Sequence, residues 1–168
     1  ATIIRILVDL ERVVTTSMTI TENTFTGEFS YTLDAKGRLN IPSKFRSALS
    51  PDNDKSFVIT KGMDPCVVAY PLVEWQQRVE SGLRELSATS QRNRLFVRSL
   101  TRFATTVKLD GQGRIQITQF LQEYASLDRD VRIIGVVNKI EIWNPNDLKK
   151  MQDLSQDDFD DLSDKIIL

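Results

Sequence analysis

The feature that most constrains the fold is an internal duplication. The stretch LDAKGRLNI at residues 33–41 returns as LDGQGRIQI at residues 109–117, with Asp, Gly and Arg at matching positions. The copies are offset by 76 residues at these turns and by 73 at the later strands, so the first copy holds three extra residues near 51–55. Both copies follow the order β-β-α-β-β, which predicts a duplicated α+β fold.

Hydrophobic periodicity predicts the elements of each copy. Phe29, Tyr31 and Leu33 alternate along a strand face before the first turn. Pro42 is placed to begin a short helix in the first copy, and Thr118 is a candidate N-cap for its equivalent. Two further strands close each copy. In the first copy they flank the turn KGMDP, and in the second copy they are VRIIGVV and IEIW.

A helical hairpin is predicted between the copies. Its apolar positions step by three and four residues: Leu72, Trp75, Val79, Leu83 and Leu86 in the first helix, and Leu95, Phe96, Leu100 and Phe103 in the second. Trp75 and Trp143 are interpreted as core anchors rather than base-stacking platforms. The hairpin arginines either form a surface for a polyanion such as DNA or, the favoured alternative, face solvent or pair with acids of a neighbouring subunit: Arg78, Arg84, Arg92, Arg94, Arg98 and Arg102.

The chain divides into five predicted segments. They are an N-terminal extension 1–24, a first repeat 25–75, a helical linker 76–104, a second repeat 105–150 and an acidic C-terminal tail 151–168. The extension is a processed leader, a cloning remnant or a genuine arm. The tail carries six aspartates against one lysine, which leaves the body mildly basic and compatible with a polyanion. The tail is a disordered solubiliser, a segment that docks on a neighbour, or a cover for the basic face.

Residue content argues against catalysis. The chain has no histidine and one cysteine, Cys66, so an internal disulfide and a thiolate metal cage are excluded. It has no phosphate-binding Gly-Lys-Ser/Thr loop and no dinucleotide fingerprint. We therefore expect a protein that is not an enzyme, with no cofactor, metal or small-molecule substrate. No apolar run approaches the roughly 20 residues of a membrane span, so we expect a cytoplasmic protein.

The repeated turn has a local chemical logic. Asp34 can accept hydrogen bonds from turn N–H groups, Gly37 can adopt a positive φ, and Arg38 can pair with Asp34 or point outward. Taken singly, each turn is explained by an ordinary hairpin. A repeated turn could instead display two arginines about a pseudo-twofold axis, a symmetry that suits duplex DNA. The second set is Asp110, Gly113 and Arg114.

These motifs resemble the MraZ family of bacterial transcriptional regulators. The resemblance rests on FTGEFSYTLDAKGRLNIPSKFRSAL, CVVAYPLVEW and DGQGRIQI, and covers roughly residues 25–143. It implies a pseudo-twofold swapped-hairpin β-barrel of the AbrB-like (SpoVT-AbrB) superfamily, built from two halves of one chain. It also implies homo-oligomeric rings and binding of double-stranded DNA at short direct repeats, in the promoter of the division and cell-wall gene cluster.

The resemblance and the charges together nominate the DNA-contacting residues. Arg38 and Arg114 are the first candidates, for a guanine edge or a phosphate. Lys36 at the turn tip favours phosphate, and the adjacent short helix could extend the patch through Lys44 and Arg46. The second copy has Gln112 in place of Lys36, so the first is expected to hold phosphate more strongly. The alternative function is an AbrB-like antitoxin or another protein-interaction module, with the tail as its binding segment.

Overall fold

Both copies fold in the predicted order. The structure, a computed structural model, describes residues 22–151 and 153–166, so most of the N-terminal extension lies outside the described part. Short turns separate the elements that the alternation and the proline predicted. The first copy consists of β1 (Phe25–Thr32), β2 (Arg38–Asn40), α1 (Ser43–Ala48), β3 (Ser56–Lys61) and β4 (Val67–Pro71).

The predicted helical hairpin follows. Helix α2 covers residues 72–85, with a π-helical segment Trp75–Glu80 between the α-helical segments Leu72–Glu74 and Ser81–Glu85. Helix α3 spans Gln91–Thr101 and begins at the N-cap Ser90. Leu95 and Phe96, whose spacing predicted this helix, are nevertheless 54% and 43% exposed. Helical spacing identifies an apolar face but does not say what covers it.

The second copy repeats the pattern of the first. Thr118 is the helix N-cap as predicted, because its hydroxyl accepts a hydrogen bond from the N–H of Leu121. The acidic tail, for which no helix was predicted, contains one. These elements are β5 (Thr105–Lys108), β6 (Arg114–Gln116), α4 (Gln119–Tyr124), β7 (Asp130–Val137), β8 (Ile140–Trp143), α5 (Pro145–Lys150) and α6 (Gln156–Ile166).

Strand pairing joins the two copies throughout. A six-stranded antiparallel sheet has the order β1-β7-β8-β4-β3-β5, and β2 pairs with β6 in a separate two-stranded ribbon. Thus β1 pairs with β7, β3 with β5, and β4 with β8 across the copies. In the described part the six-stranded sheet is open, with β1 and β5 as its edge strands. The ribbon strands β2 and β6 pair with each other and do not join these edges. The α+β prediction is confirmed, and the closed barrel is not.

The main core lies between one sheet face and the ribbon. Leu39 and Ile115 project from the ribbon into it, and both are buried with Phe45 of α1 and Leu121 of α4. On the other face of the sheet, Trp143 packs with the apolar side chains of β4 and α5, and Trp75 packs near Tyr70. The prediction that both tryptophans are buried is confirmed, since Trp75 is 8% exposed and Trp143 is 2% exposed.

The three extra residues of the first copy form an anchor. They fold as a 3₁₀ turn, Pro51–Asn53, in which Asn53 is fully buried. Its amide donates to Asn23 Oδ1 at 2.7 Å and to Ser50 Oγ at 2.9 Å, and its Oδ1 accepts from the N–H of Val73 at 3.0 Å. The insertion therefore connects the segment before β1 to the beginning of the hairpin.

Among the described residues, no helix is both long enough and apolar enough to cross a membrane.

Candidate nucleic-acid interface

The first turn is organised by one carboxylate. Asp34 Oδ1 accepts from the N–H groups of Lys36 and Arg38, both at 2.9 Å, and Asp34 Oδ2 accepts from Arg38 Nε at 2.7 Å. Gly37 has φ +75° and donates its N–H to the Asp34 carbonyl. A left-handed residue closes the turn, which explains the glycine. Asp34 thus fixes both the loop and the Nε end of the Arg38 guanidinium.

The second turn has the same geometry. Asp110 Oδ1 accepts from the N–H groups of Gln112 and Arg114, at 2.9 and 3.0 Å, and Asp110 Oδ2 accepts from Arg114 Nε at 2.8 Å. Gly113 also has φ +75°. Two sequences that share only Leu, Asp, Gly and Arg in these turns therefore build the same hydrogen-bonded loop. The alternative in which each arginine pairs with its own aspartate is the one observed.

Both aspartates are held in the ionised form. Donation from the Arg38 N–H is the main effect that lowers the pKa of Asp34 below its ordinary value, and the Arg38 guanidinium adds to it. The Arg114 N–H and guanidinium lower the pKa of Asp110 in the same way. Hydrogen bonds and cations that favour the carboxylate make these residues poor proton donors near neutral pH.

The ribbon places both arginines on one face. Arg38 lies opposite Gln116, and Arg114 lies opposite Asn40, so all four side chains project to the same side. The intervening Leu39 and Ile115 point to the core. Arg114 Nη1 also lies 4.0 Å from Asp34 Oδ2, which links the two turns directly. The predicted juxtaposition of Arg38 and Arg114 is therefore present on a partly exposed surface.

The two turns interlock through the backbone. The N–H of Ile41 donates to the carbonyl of Gly113 at 3.0 Å, and the N–H of Ile117 donates to the carbonyl of Gly37 at 2.8 Å. These are equivalent positions of the two copies. Each glycine carbonyl thus accepts a bond from the opposite copy, so neither turn can move without the other.

One side chain from the short helix lies against each turn. Arg46 Nε donates to the Ile41 carbonyl at 3.0 Å, and its guanidinium is next to Gly113. Gln122, the equivalent residue of the second copy, donates to the Ile117 carbonyl at 2.8 Å and lies next to Gly37. Each copy's helix therefore supports the turn of the other copy.

This exchange corrects the predicted arrangement of cations. Arg46 was grouped with the turn of its own copy, but it lies at the second turn, where the tip residue is the neutral Gln112. Lys36 stands at the tip of the first turn, which Gln122 supports. The cation that differs between the turns is therefore Lys36 at the first and Arg46 at the second, while Arg129 and Lys55 lie beside the first and the second turn, respectively. Sequence analysis missed Gln122, although the 76-residue offset pairs it with Arg46.

Lys44 has a different position from the other predicted site residues. Its Nζ donates to the Thr26 carbonyl at 3.2 Å, near the beginning of β1. The first turn follows the opposite end of that strand. Lys44 is thus exposed but is bound to β1 rather than to either turn. In the described part of the chain, no three His, Cys, Asp or Glu side chains are grouped as metal ligands.

Comparison with known proteins agrees with the duplication. A family model described as "MraZ protein, putative antitoxin-like" matches residues 24–99 and again residues 100–168. Among curated proteins, the transcriptional regulator MraZ of Pediococcus pentosaceus is 41% identical over 143 residues. That alignment covers 85% of this chain and 96% of that protein.

Proposed function

Because the chain belongs to the MraZ family, we propose that it is a DNA-binding transcriptional regulator whose two arginine turns contact the duplex. One observation carries the proposal. Arg38 and Arg114 lie on the same exposed ribbon face, and each is oriented by its own aspartate through Nε. Two cations fixed side by side can engage paired positions on a double helix.

The ion pair with Asp34 leaves the recognition end of Arg38 available. Asp34 engages only Nε of Arg38, and among the described residues Nη1 and Nη2 of Arg38 donate to no acceptor. These two nitrogens match the N7 and O6 acceptors of guanine or two phosphate oxygens. Fixing Nε in advance reduces the conformational entropy lost on binding. The arginines would bind base edges or the DNA backbone, and Lys36, Lys44 and Arg46 would bind phosphates.

The inequality of the two turns favours direct repeats. A module with two identical turns has no direction along the duplex and fits a palindrome. Here the additional cation is Lys36 at the tip of one turn and Arg46 beneath the other. The DNA-facing surface therefore has a direction, and copies of it suit sites repeated in one orientation. This supports short direct repeats as the target, and the resemblance to MraZ implies that they lie in the promoter of the division and cell-wall gene cluster.

The finer architecture belongs to the same proposal. In the six-stranded sheet, each strand of the first copy pairs with a strand of the second copy. This pairing supports a swapped-hairpin barrel made from one chain. We retain the segment boundaries of repeats 25–75 and 105–150. A DNA partner implies a cytoplasmic, nucleoid-associated protein. No catalytic role is proposed, because the arginines keep Asp34 and Asp110 ionised.

Self-assembly would supply affinity that one module lacks. A single ribbon presents few cations, so its own binding should be weak and strongly dependent on salt. A homo-oligomeric ring that sets several ribbons on adjacent repeats gains by effective concentration, about 10²-fold or more. If about six phosphates are neutralised, affinity falls about a thousandfold between 50 and 200 mM salt.

Fluorescence anisotropy with a repeat-containing promoter duplex tests the assignment. Arg38→Ala and Arg114→Ala should each weaken binding by about 1–3 kcal/mol, and each should reduce the salt slope if it contacts phosphate. Arg78→Ala is the matched control, since Arg78 also pairs with a carboxylate four residues away but lies on the hairpin. It should leave binding unchanged.

The double variant gives the deciding result. Arg38→Ala with Arg114→Ala should abolish sequence-specific binding while the circular dichroism spectrum and the particle mass stay the same. Unchanged binding in this variant would contradict the assignment of the ribbon. It would then favour the hairpin arginines as the DNA surface, whereas failure of the unaltered chain to bind any promoter duplex would favour the antitoxin-like protein-interaction module.

A further inference from the structure

An apolar stripe on helix α6 is left uncovered. Phe159, Leu162 and Ile166 recur at intervals of three and four residues, so they share one face, and they are 52%, 48% and 69% exposed. The rest of the helix is strongly acidic, with five aspartates and a single lysine. An 11-residue amphipathic helix that gains nothing from packing is marginal in water, so its stability requires a partner surface.

The hairpin carries an open groove of complementary character. A cavity of about 500 Å³ lies between α2 and α3, with Leu83, Leu86 and Val97 as its apolar lining. Cations rim this groove, and its lining contains no acidic residue. Arg98 is the rim cation best placed to bind an acid, since among the described residues its guanidinium donates to no acceptor. The other rim arginines are Arg84 and Arg94.

We infer that the α6 stripe of one copy docks in the α2–α3 groove of a second copy. Charge complementarity argues for this occupant: an aspartate-rich helix meets a groove lined by three arginines and no acid, of which Arg84 already pairs with Glu80 and Arg98 does not pair among the described residues. Helix-in-groove docking also requires apolar anchors at the spacing of Phe159, Leu162 and Ile166. Among the described residues both the stripe and the groove are open, so α6 does not occupy the groove of its own chain.

This contact rests on the proposed homo-oligomer and specifies the type of interface between its subunits. The stripe and the groove are different surfaces of the same chain, so their association is heterologous. A heterologous contact either closes into a ring or continues as an open polymer. Each subunit would donate α6 to one neighbour and receive α6 from the other. The ribbon arginines take no part, so DNA contact by a single ribbon and assembly through α6 can fail independently.

Sedimentation of the full chain measures the contact. Leu162→Ser removes the central anchor from an exposed helix and should weaken self-association about tenfold or more. Asp157→Asn is the matched control on the opposite face of α6 and should change it less than about twofold. Arg98→Glu on the groove should weaken association as Leu162→Ser does. An unchanged particle mass in both variants would overturn the inference.

Cysteine cross-linking identifies which chains touch. A Leu162→Cys chain is mixed with a longer, tagged Leu86→Cys chain under mild oxidation, and Cys66 does not interfere because it is buried. The expected product is a disulfide-linked pair of unequal chains. A link formed only within a chain that carries both cysteines would assign α6 to its own groove and refute the second copy. Loss of DNA binding by Arg98→Glu at unchanged mass would assign the groove to nucleic acid and equally refute it.

Discussion

Replacing Gly113 with alanine tests the packing beneath the second turn. The residue has φ +75°, and a Cβ there would lie 2.5–2.8 Å from atoms of the Arg46 side chain. The left-handed backbone costs an alanine about 1–2 kcal/mol. Displacement of Arg46 adds about 1 kcal/mol from its hydrogen bond to the Ile41 carbonyl. The expected loss is about 2–3 kcal/mol of unfolding free energy.

A control lies two residues away in the same turn. Gly111 has no positive φ, and a Cβ there would meet no atom within 4 Å. The equivalent residue of the first copy is already Ala35. Gly111→Ala should therefore raise stability, by about 0.4–1 kcal/mol, because it restricts the unfolded chain.

Urea denaturation read by circular dichroism, with thermal melts beside it, measures both variants. A loss of 1 kcal/mol lowers the melting temperature of a chain this size by about 2–4 °C. In an Arg46→Ala background the cost of Gly113→Ala should fall to the backbone contribution of about 1–2 kcal/mol. If Gly113→Ala changes the unfolding free energy in the same way as Gly111→Ala does, the turn geometry is wrong. If the Arg46 background changes nothing, the exchanged support of the turns is wrong.

Three further predictions concern other features. The folded pKa values of Asp34 and Asp110 lie below the ordinary 3.8, so the stability they contribute is present above pH 3.8 and is lost as the pH falls through those lower values. Urea midpoints should accordingly fall less on acidification for Asp34→Asn than for the unaltered chain, and an equal fall would contradict this. Burial raises the pKa of the Cys66 thiol to about 12, so disulfide reagents should label the folded chain at least about 100-fold more slowly than the urea-unfolded chain; comparable rates would disprove the burial. Val137 is 65% exposed and has φ +67°, so Val137→Asn should add about 1 kcal/mol of unfolding free energy, and a destabilised variant would count against that backbone conformation.

The turns could be predicted from sequence because their interactions are local. Asp34, Gly37 and Arg38 act within five consecutive residues, and their hydrogen bonds depend on little else. The repeat spacing then transferred the same geometry to the second copy. The short helices were predictable for a similar reason, since Pro42 and Thr118 mark where they begin.

The partners of the strands could not be predicted in this way. Alternation assigns each side chain to a face of the sheet but does not say which strand lies alongside. The assignment of Arg46 to its own turn failed because that turn packs against the other copy's helix. Leu95 and Phe96 illustrate the same limit in helices. Their spacing predicted the helix correctly but did not indicate that they lie on the surface of the hairpin.

The pairing of β1 with β7 has a consequence for synthesis on the ribosome. Phe25 opposes Val137, so β1 waits for a partner translated about a hundred residues later. Until then its unpaired N–H and C=O groups form an edge that other nascent chains can join. A message truncated after the first copy would release strands deprived of most of their neighbours. Both copies together, and not either copy alone, are therefore needed to complete the sheet.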